Sequence, residues 1–171
     1  MVYNIIMSSN SSLHEFNHDK LKKFQKTRLV ETIYDNFKHL AAYPNLKHTR
    51  KDITDAINEK EALLLLIINK DANNKKRIVA YLLANVMSLN DGRKVLYILY
   101  IYTSPEFRNK GFASILMNKI FERTNDYNLD GVLLTCDSED SFIMDFYAKK
   151  GFMQDLYLRT YDKYDVMFSP A

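Results

Sequence analysis

The stretch Val95–Phe121, VLYILYIYTSPEFRNKGFASILMNKIF, admits few folds. It opens on an apolar run with alternating aromatics, Leu96 to Tyr102, which predicts a mostly buried strand. Ser104-Pro105 stops that strand, because proline has no N–H to give to a ladder. Arg108-Asn109-Lys110-Gly111-Phe112-Ala113 follows, and Ile115, Leu116, Ile120 and Phe121 then share one face of an amphipathic helix. A strand, a tight turn and a helix start make an anion site. The first helical N–H groups lack intrahelical partners, and the macrodipole adds partial positive charge there. Gly111 lets the backbone curl inward with no Cβ in the way, and Arg108 and Lys110 add formal charge. The same residues also read as an ordinary strand–turn–helix with a solvated basic turn, and the turn alone does not choose between the two.

At 171 residues with 47% hydrophobic content, the chain is expected to form one domain, 1–171, with a single core. A net charge of +3 suits a polyanionic ligand but is too small to indicate nucleic acid. The single cysteine, Cys136, excludes an internal disulfide and favours a reducing compartment. The unbroken apolar run Ala62–Ile68 is far too short to span a membrane. MVYNIIMSSN has no basic n-region, so no signal peptide is expected and a cytoplasmic location is.

In chain order, Val2–Met7 predicts a short strand. Ser12-Leu13-His14-Glu15 has capping-box spacing and predicts a helix whose face is Leu13, Phe16, Leu21 and Phe24. Leu29, Val30, Ile33, Phe37, Leu40 and Ala41 predict a second helix, ending before Pro44. Thr49-Arg50-Lys51-Asp52 predicts a cap for a third, short helix carrying Ile53, Ala56 and Ile57. Strands are expected over Ala62–Asn69 and Ile78–Leu89, with Asn90-Asp91-Gly92 turning the chain into the strand at Val95. Val132–Cys136 is a further strand, Ser138–Lys150 a helix closed by Gly151, and Met153–Thr160 with Tyr164–Phe168 a last hairpin.

Arg108-x-x-Gly111-x-Ala113 after a strand resembles the R/Q-x-x-G-x-G/A signature of the GNAT superfamily of N-acetyltransferases. Phe146-Tyr147-Ala148-Lys149-Lys150-Gly151-Phe152 resembles the family's second hallmark at a typical distance. The pair is specific where either alone is not, and with its strands it covers roughly residues 77–168. The resemblance implies a mixed α/β fold, a single GNAT-like domain. Its central twisted, mostly antiparallel sheet would be splayed at the cofactor site, with helices on both faces. It further implies acetyl transfer from acetyl-CoA to a primary amine by direct attack in a ternary complex. The expected partners are acetyl-CoA and a small-molecule or protein amine, with no nucleic acid, no membrane, and a homodimer left open.

By the same resemblance, Arg108, Asn109, Lys110, Gly111, Phe112, Ala113 and Ser114 hold the cofactor pyrophosphate. Backbone groups of Ile101, Tyr102 and Thr103 serve the pantetheine and polarise the thioester carbonyl. Tyr147 would protonate the departing thiolate, a task a phenol near pKa 10 can perform; its other reading is a core tyrosine beside Phe142 and Phe146. Asp140 stands where many relatives carry an asparagine that touches the pantetheine, and a carboxylate accepts but does not donate. Asp140 also reads as a helix N-terminal charge, with Ser138 and Ser141 as substitute donors.

A base for the amine is not visible. Exposing an alkylamine lone pair near neutral pH costs roughly 4 kcal/mol. Relatives often place a glutamate on the strand before the loop, whereas Leu96–Thr103 holds no carboxylate. Tyr97, Tyr100 or Tyr102 could order a water relay backed by Asp35, Glu31 or Asp137. Tyr34, Tyr161 and Tyr164 are candidate walls of the acceptor site. Cys136 reads as a small buried apolar residue rather than an acetyl carrier. Two other functions compete. One is a non-catalytic acyl-CoA-binding module. The other is a zinc hydrolase through His14-Glu15-Phe16-Asn17-His18, an H-E-x-x-H match; no metal is expected. His39 and His48 read as surface or helix-end residues.

Overall fold

The computed structural model describes residues 9–158 and 163–171. The expected Val2–Met7 strand, the end of the expected strand Met153–Thr160 and Tyr161 lie outside the described residues. The described elements are β1 (Ser11–Asn17), α1 (His18–Leu21), α2 (Lys26–Asn36), α3 (Arg50–Asn58), β2 (Ala62–Lys70), β3 (Lys76–Ser88) and β4 (Lys94–Thr103). After these come α4 (Phe112–Asp126), β5 (Gly131–Asp137), α5 (Ser141–Lys149), β6 (Met153–Gln154) and β7 (Tyr164–Pro170). The strands form a seven-stranded mixed sheet, mostly antiparallel, in the order β1-β2-β3-β4-β5-β7-β6. Backbone contacts divide the chain into two compact units, Met1–Leu83 with Tyr100–Asn118 and Ala84–Leu99 with Lys119–Ala171.

In the first unit, β2 is buried from Ala62 through Ile67. Burial on both faces is why its sequence is a continuous apolar run rather than an alternation. Each leucine or isoleucine there contributes about 1.5–3 kcal/mol by leaving water. β1 pairs antiparallel with β2 from Ser11↔Asn69 to Asn17↔Leu63. This corrects the helix expected from Ser12-Leu13-His14-Glu15. A capping box stabilises by about 1 kcal/mol. Pairing forms a seven-residue ladder and covers an otherwise open edge of the apolar β2. Capping occurs instead at Asn17, whose side chain accepts the Lys20 N–H at 3.2 Å and starts the short α1.

Helix α2 buries Leu29, Val30 and Ile33 and ends at Asn36, not at Ala41 as expected. Phe37 leaves helical geometry at φ −121°, ψ 18°, and Lys38–Ala42 continues as a 3₁₀ turn. α3 follows the expected signal: Thr49 Oγ1 accepts the Asp52 N–H at 3.1 Å, and Asp52 Oδ2 accepts the Thr49 N–H at 3.0 Å.

In the second unit, β4 and β5 run parallel from Val95↔Gly131 to Ile98↔Leu134. β5 and β7 pair antiparallel over seven positions, and the short β6 pairs with β7. Val95, Leu133 and Val166 form a core against which Leu89, Tyr97, Leu158 and Phe168 pack. Gly131 is a place of close approach: a Cβ there would lie 2.3 Å from the Ser169 carbonyl oxygen and 2.6 Å from the Phe168 ring.

Candidate active site

The end of β4 and the turn into α4 belong to the first unit. Ser104 donates its N–H to the Val79 carbonyl at 2.8 Å, fixing where the strand stops. Pro105–Phe107 is a 3₁₀ turn, after which Asn109 (φ +59°) and Gly111 (φ +81°) both take left-handed backbone. Glycine adopts that geometry without a steric penalty, and asparagine is the other residue that tolerates it. Ile115 N–H bonds the Gly111 carbonyl at 3.0 Å, so Gly111 is where the helical ladder begins. The N–H groups of Phe112, Ala113 and Ser114 therefore have no intrahelical acceptors. Arg108–Gly111 are exposed at the start of α4, Phe112 is buried, and Ala113 and Ser114 are half-buried.

Arg108 Nε donates to the Thr103 carbonyl at 3.2 Å and ties the guanidinium to the strand end. Lys110 Nζ lies 4.7 Å from the centre of the Phe107 ring, which stacks on Phe112 at 6.2 Å. Thr103 Oγ1 is buried with no hydrogen-bond partner. A buried hydroxyl without a partner costs about 1–3 kcal/mol, so the strand end carries unused polar capacity where the cofactor was expected. Ile101, Tyr102 and Thr103 are all half-buried.

In the same unit stands an aromatic and histidine cluster the sequence did not reveal. His48, expected at the surface or a helix end, directly precedes the α3 N-cap Thr49 and is buried. Its Nε2 donates to the Tyr34 backbone carbonyl at 3.2 Å, and its Nδ1 lies 2.9 Å from Tyr100 Oη. A carbonyl only accepts, so Nε2 carries the proton; in the neutral ring Nδ1 then accepts from the Tyr100 hydroxyl. The Tyr34 ring stacks on His48 at 5.3 Å and 4°, and the Arg50 guanidinium sits 3.8 Å from the Tyr34 ring centre. Phe37 packs on Tyr100 and Tyr102, and Tyr102 stacks on Tyr81. Tyr81 is buried, which drives its hydroxyl well above the ordinary tyrosine range despite the hydrogen bond it accepts from Asn36. Tyr34, Tyr43, Pro44, Lys47, His48 and Arg50 are among the walls of an open pocket of about 580 Å³.

The carboxylates expected behind a relay go elsewhere. Glu31 accepts from Arg50 Nε at 2.8 and 3.0 Å, Asp35 is exposed, and Asp137 in the second unit pairs with Lys163 at 2.6 Å. Tyr97 Oη lies 3.3 Å from Thr135 Oγ1. His39 is exposed, as expected. His14 lies on the exposed side of β1, and His18 Nδ1 donates to the Glu59 carbonyl at 3.0 Å. The helix that would bring both imidazoles to one metal is therefore not formed. Successive strand residues rise by about 3.3 Å, which spreads such a pair along the chain.

In the second unit, Tyr147 is buried on α5 between the rings of Phe146, at 5.3 Å, and Phe152, at 5.5 Å. Burial, and secondarily Cys136, pushes its hydroxyl far above the ordinary phenol range. It remains a neutral O–H donor. Cys136 is buried with Sγ 3.5 Å from Met144 Sδ, and burial pushes its thiol up to about 11. The neighbouring Asp165, Asp137 and Asp140 act in the same direction. A thiol so disfavoured as thiolate is a poor nucleophile. Asp140 is the N-cap of α5, its Oδ1 accepting the Ile143 N–H at 3.0 Å. Tyr164 is buried at the start of β7.

No curated protein sequence matches the chain. Its fold is similar to that of NAA60 from Arabidopsis thaliana in complex with a bisubstrate analogue, with a TM-score of 0.65 at 13% identity over 94% of this chain and 99% of that one. The PaiA N-acetyltransferase from Thermoplasma acidophilum in complex with coenzyme A gives 0.61 at 15% identity over 96% and 100%. An aminoglycoside acetyltransferase from an uncultured soil metagenomic sample gives 0.61 at 17% identity over 91% and 99%. The family model of the GNAT acetyltransferases matches residues 27–152, which take in both the basic turn and the Tyr147 helix. The chain belongs to the acetyltransferase (GNAT) family.

Proposed function

We propose that this protein moves an acetyl group from acetyl-CoA to a primary amine by direct attack in a ternary complex. The observation that carries the reading is the turn into α4. Left-handed Asn109 and Gly111 open a helix whose first N–H groups lack intrahelical acceptors, with Arg108 and Lys110 beside them. That arrangement suits a pyrophosphate. The unpartnered Thr103 Oγ1 supports a ligand polar group at the strand end, where Ile101, Tyr102 and Thr103 would offer their backbone to the pantetheine. The solved structures of similar fold that contain coenzyme A or a bisubstrate analogue agree with this co-substrate.

Tyr147 would give its proton to the leaving thiolate. Burial keeps the Tyr147 hydroxyl protonated at neutral pH, so it can donate a hydrogen bond to the departing sulfur. Asp140, with Oδ1 occupied as a cap, would have only its other oxygen for the pantetheine arm. Holding amine and thioester in one complex removes much of the entropic barrier.

Thiol release from acetyl-CoA should be followed against small amines, polyamines, aminoglycosides and peptide amines. Release with at least one class supports the proposal. Tight acetyl-CoA binding with no release across all four would favour a non-catalytic acyl-CoA-binding module, the reading suggested by a β4 strand without carboxylates.

A further inference from the structure

We propose that the acceptor is an amine that also carries an anionic group, a carboxylate or a phosphate. The pocket lined by Tyr34, Tyr43, Lys47 and Arg50 selects it through the ammonium of Lys47. The inference rests on the acetyl-transfer reading above and names the class of acceptor within it.

The pocket belongs to the same unit as the basic turn, and one of its walls reaches β4. His48 Nδ1 lies 2.9 Å from Tyr100 Oη, and Tyr100 stands three residues before Thr103, at the strand end assigned to acetyl-CoA. A molecule seated in the pocket is therefore one side chain away from that strand.

The charges decide what such a molecule carries. Lys47, Arg50 and Lys51 stand among the walls, with Asp52 as the one carboxylate among the described residues that line the pocket. Asp52 is engaged, since its Oδ2 accepts from both the N–H and the hydroxyl of Thr49. Arg50 is held by Glu31 and lies over the Tyr34 ring, and Lys51 is paired with Asp55. Lys47 differs from both. It is exposed on the pocket wall, and among the described residues its side chain has no ion pair or hydrogen bond.

The backbone of Lys47 is also left-handed, at φ 46° and ψ 57°, where the Pro44–Leu46 turn ends. That geometry costs a lysine energy which glycine or asparagine would largely avoid. A strained position that presents an unpaired cation to a cavity points to a ligand more than to packing. A bare ammonium there attracts an anion and repels a second cation. Polyamines and aminoglycosides bring further ammonium groups and so fit poorly. Tyr34 and Tyr43 give an aromatic wall to the uncharged stem between the amine and its anion.

A solvated surface lysine is the ordinary alternative, so the test compares matched amines by thiol release. β-Alanine is set against propylamine, phosphoethanolamine against ethanolamine, and spermidine serves as the polycation. The wild type should prefer the anionic member of at least one pair in kcat/KM by about fivefold, the upper end of an exposed ion pair, with spermidine poorest. Which pair shows the preference tells carboxylate from phosphate. Lys47→Asn removes the charge and tolerates the left-handed backbone. It should raise KM for the preferred anionic amine by about fivefold, with kcat and the KM for acetyl-CoA nearly unchanged. Lys47→Arg should restore most of the loss, and added salt should shrink it. Equal use of both members of both pairs, or a preference for spermidine, overturns the anionic acceptor while acetyl transfer itself stands. A preference that survives in Lys47→Asn overturns the assignment to this pocket, as does a defect confined to the KM for acetyl-CoA. Absence of release with every amine tested takes down the parent reading, and this inference with it.

Discussion

Arg93 Nη1 donates to the buried Asp155 Oδ2 at 2.7 Å. Asp155 Oδ1 accepts the N–H groups of Tyr157 and Leu158 at 2.9 and 2.8 Å, while Arg93 also binds Asp91 and lies 4.6 Å from the Phe168 ring centre. Burial alone would raise the Asp155 pKa, but Arg93 and the two backbone donors outweigh it and hold the carboxyl below its usual value. A depressed folded-state pKa stabilises above the unfolded value of about 3.9 and is lost as pH falls through the folded one. Denaturant unfolding should thus show stability that weakens on acidification below about pH 4, and less so in Asp155→Asn. Arg93→Ala should cost about 2–4 kcal/mol by leaving a buried carboxylate without its cation.

Gly131→Ala should destabilise the protein by about 1–3 kcal/mol, because the new Cβ meets a backbone oxygen that cannot swing aside. Thermal melting checks this. A variant as stable as wild type would mean that β5 and β7 can separate locally without loss.

Arg108→Ala and Lys110→Ala should each weaken acetyl-CoA binding severalfold in calorimetry, and added salt should shrink the difference because both side chains are exposed. Affinity for CoA lacking the acetyl group should fall alike, since the loop is assigned to the pyrophosphate and not to the thioester. Unchanged affinity in both variants would remove the loop from the cofactor site.

Tyr147→Phe keeps the ring between Phe146 and Phe152 and should leave the melting temperature nearly unchanged. The lost hydroxyl should reduce kcat by about 10²–10⁴-fold with acetyl-CoA affinity intact. A defect confined to affinity would make the hydroxyl a positioning group instead.

Where the sequence spoke through short-range chemistry it spoke clearly. The Thr49/Asp52 capping box and a strand over the apolar run Ala62–Ile68 appear where expected, and Gly111, expected to let the backbone curl inward, takes left-handed geometry. Residues 11–17 misled because a local cap signal competes with a strand partner some fifty residues away, which no window over Ser12–Glu15 contains. His48 was illegible for the same reason. Its partners Tyr34 and Tyr100 are 14 and 52 positions distant, and nothing adjacent to His48 hints at burial. The carboxylate search failed differently, since Glu31 is held by Arg50 and Asp137 by Lys163.

The acetyl-transfer account is tested most directly by incubating the protein with isotope-labelled acetyl-CoA and an accepted amine, then locating the label by mass spectrometry. The account predicts the label on the amine nitrogen, one coenzyme A released per product, and none on Cys136, whose buried thiol holds its proton. Label trapped on Cys136 would contradict direct transfer. Label found only in free acetate, with the amine unmodified, would contradict the acetyltransferase reading itself.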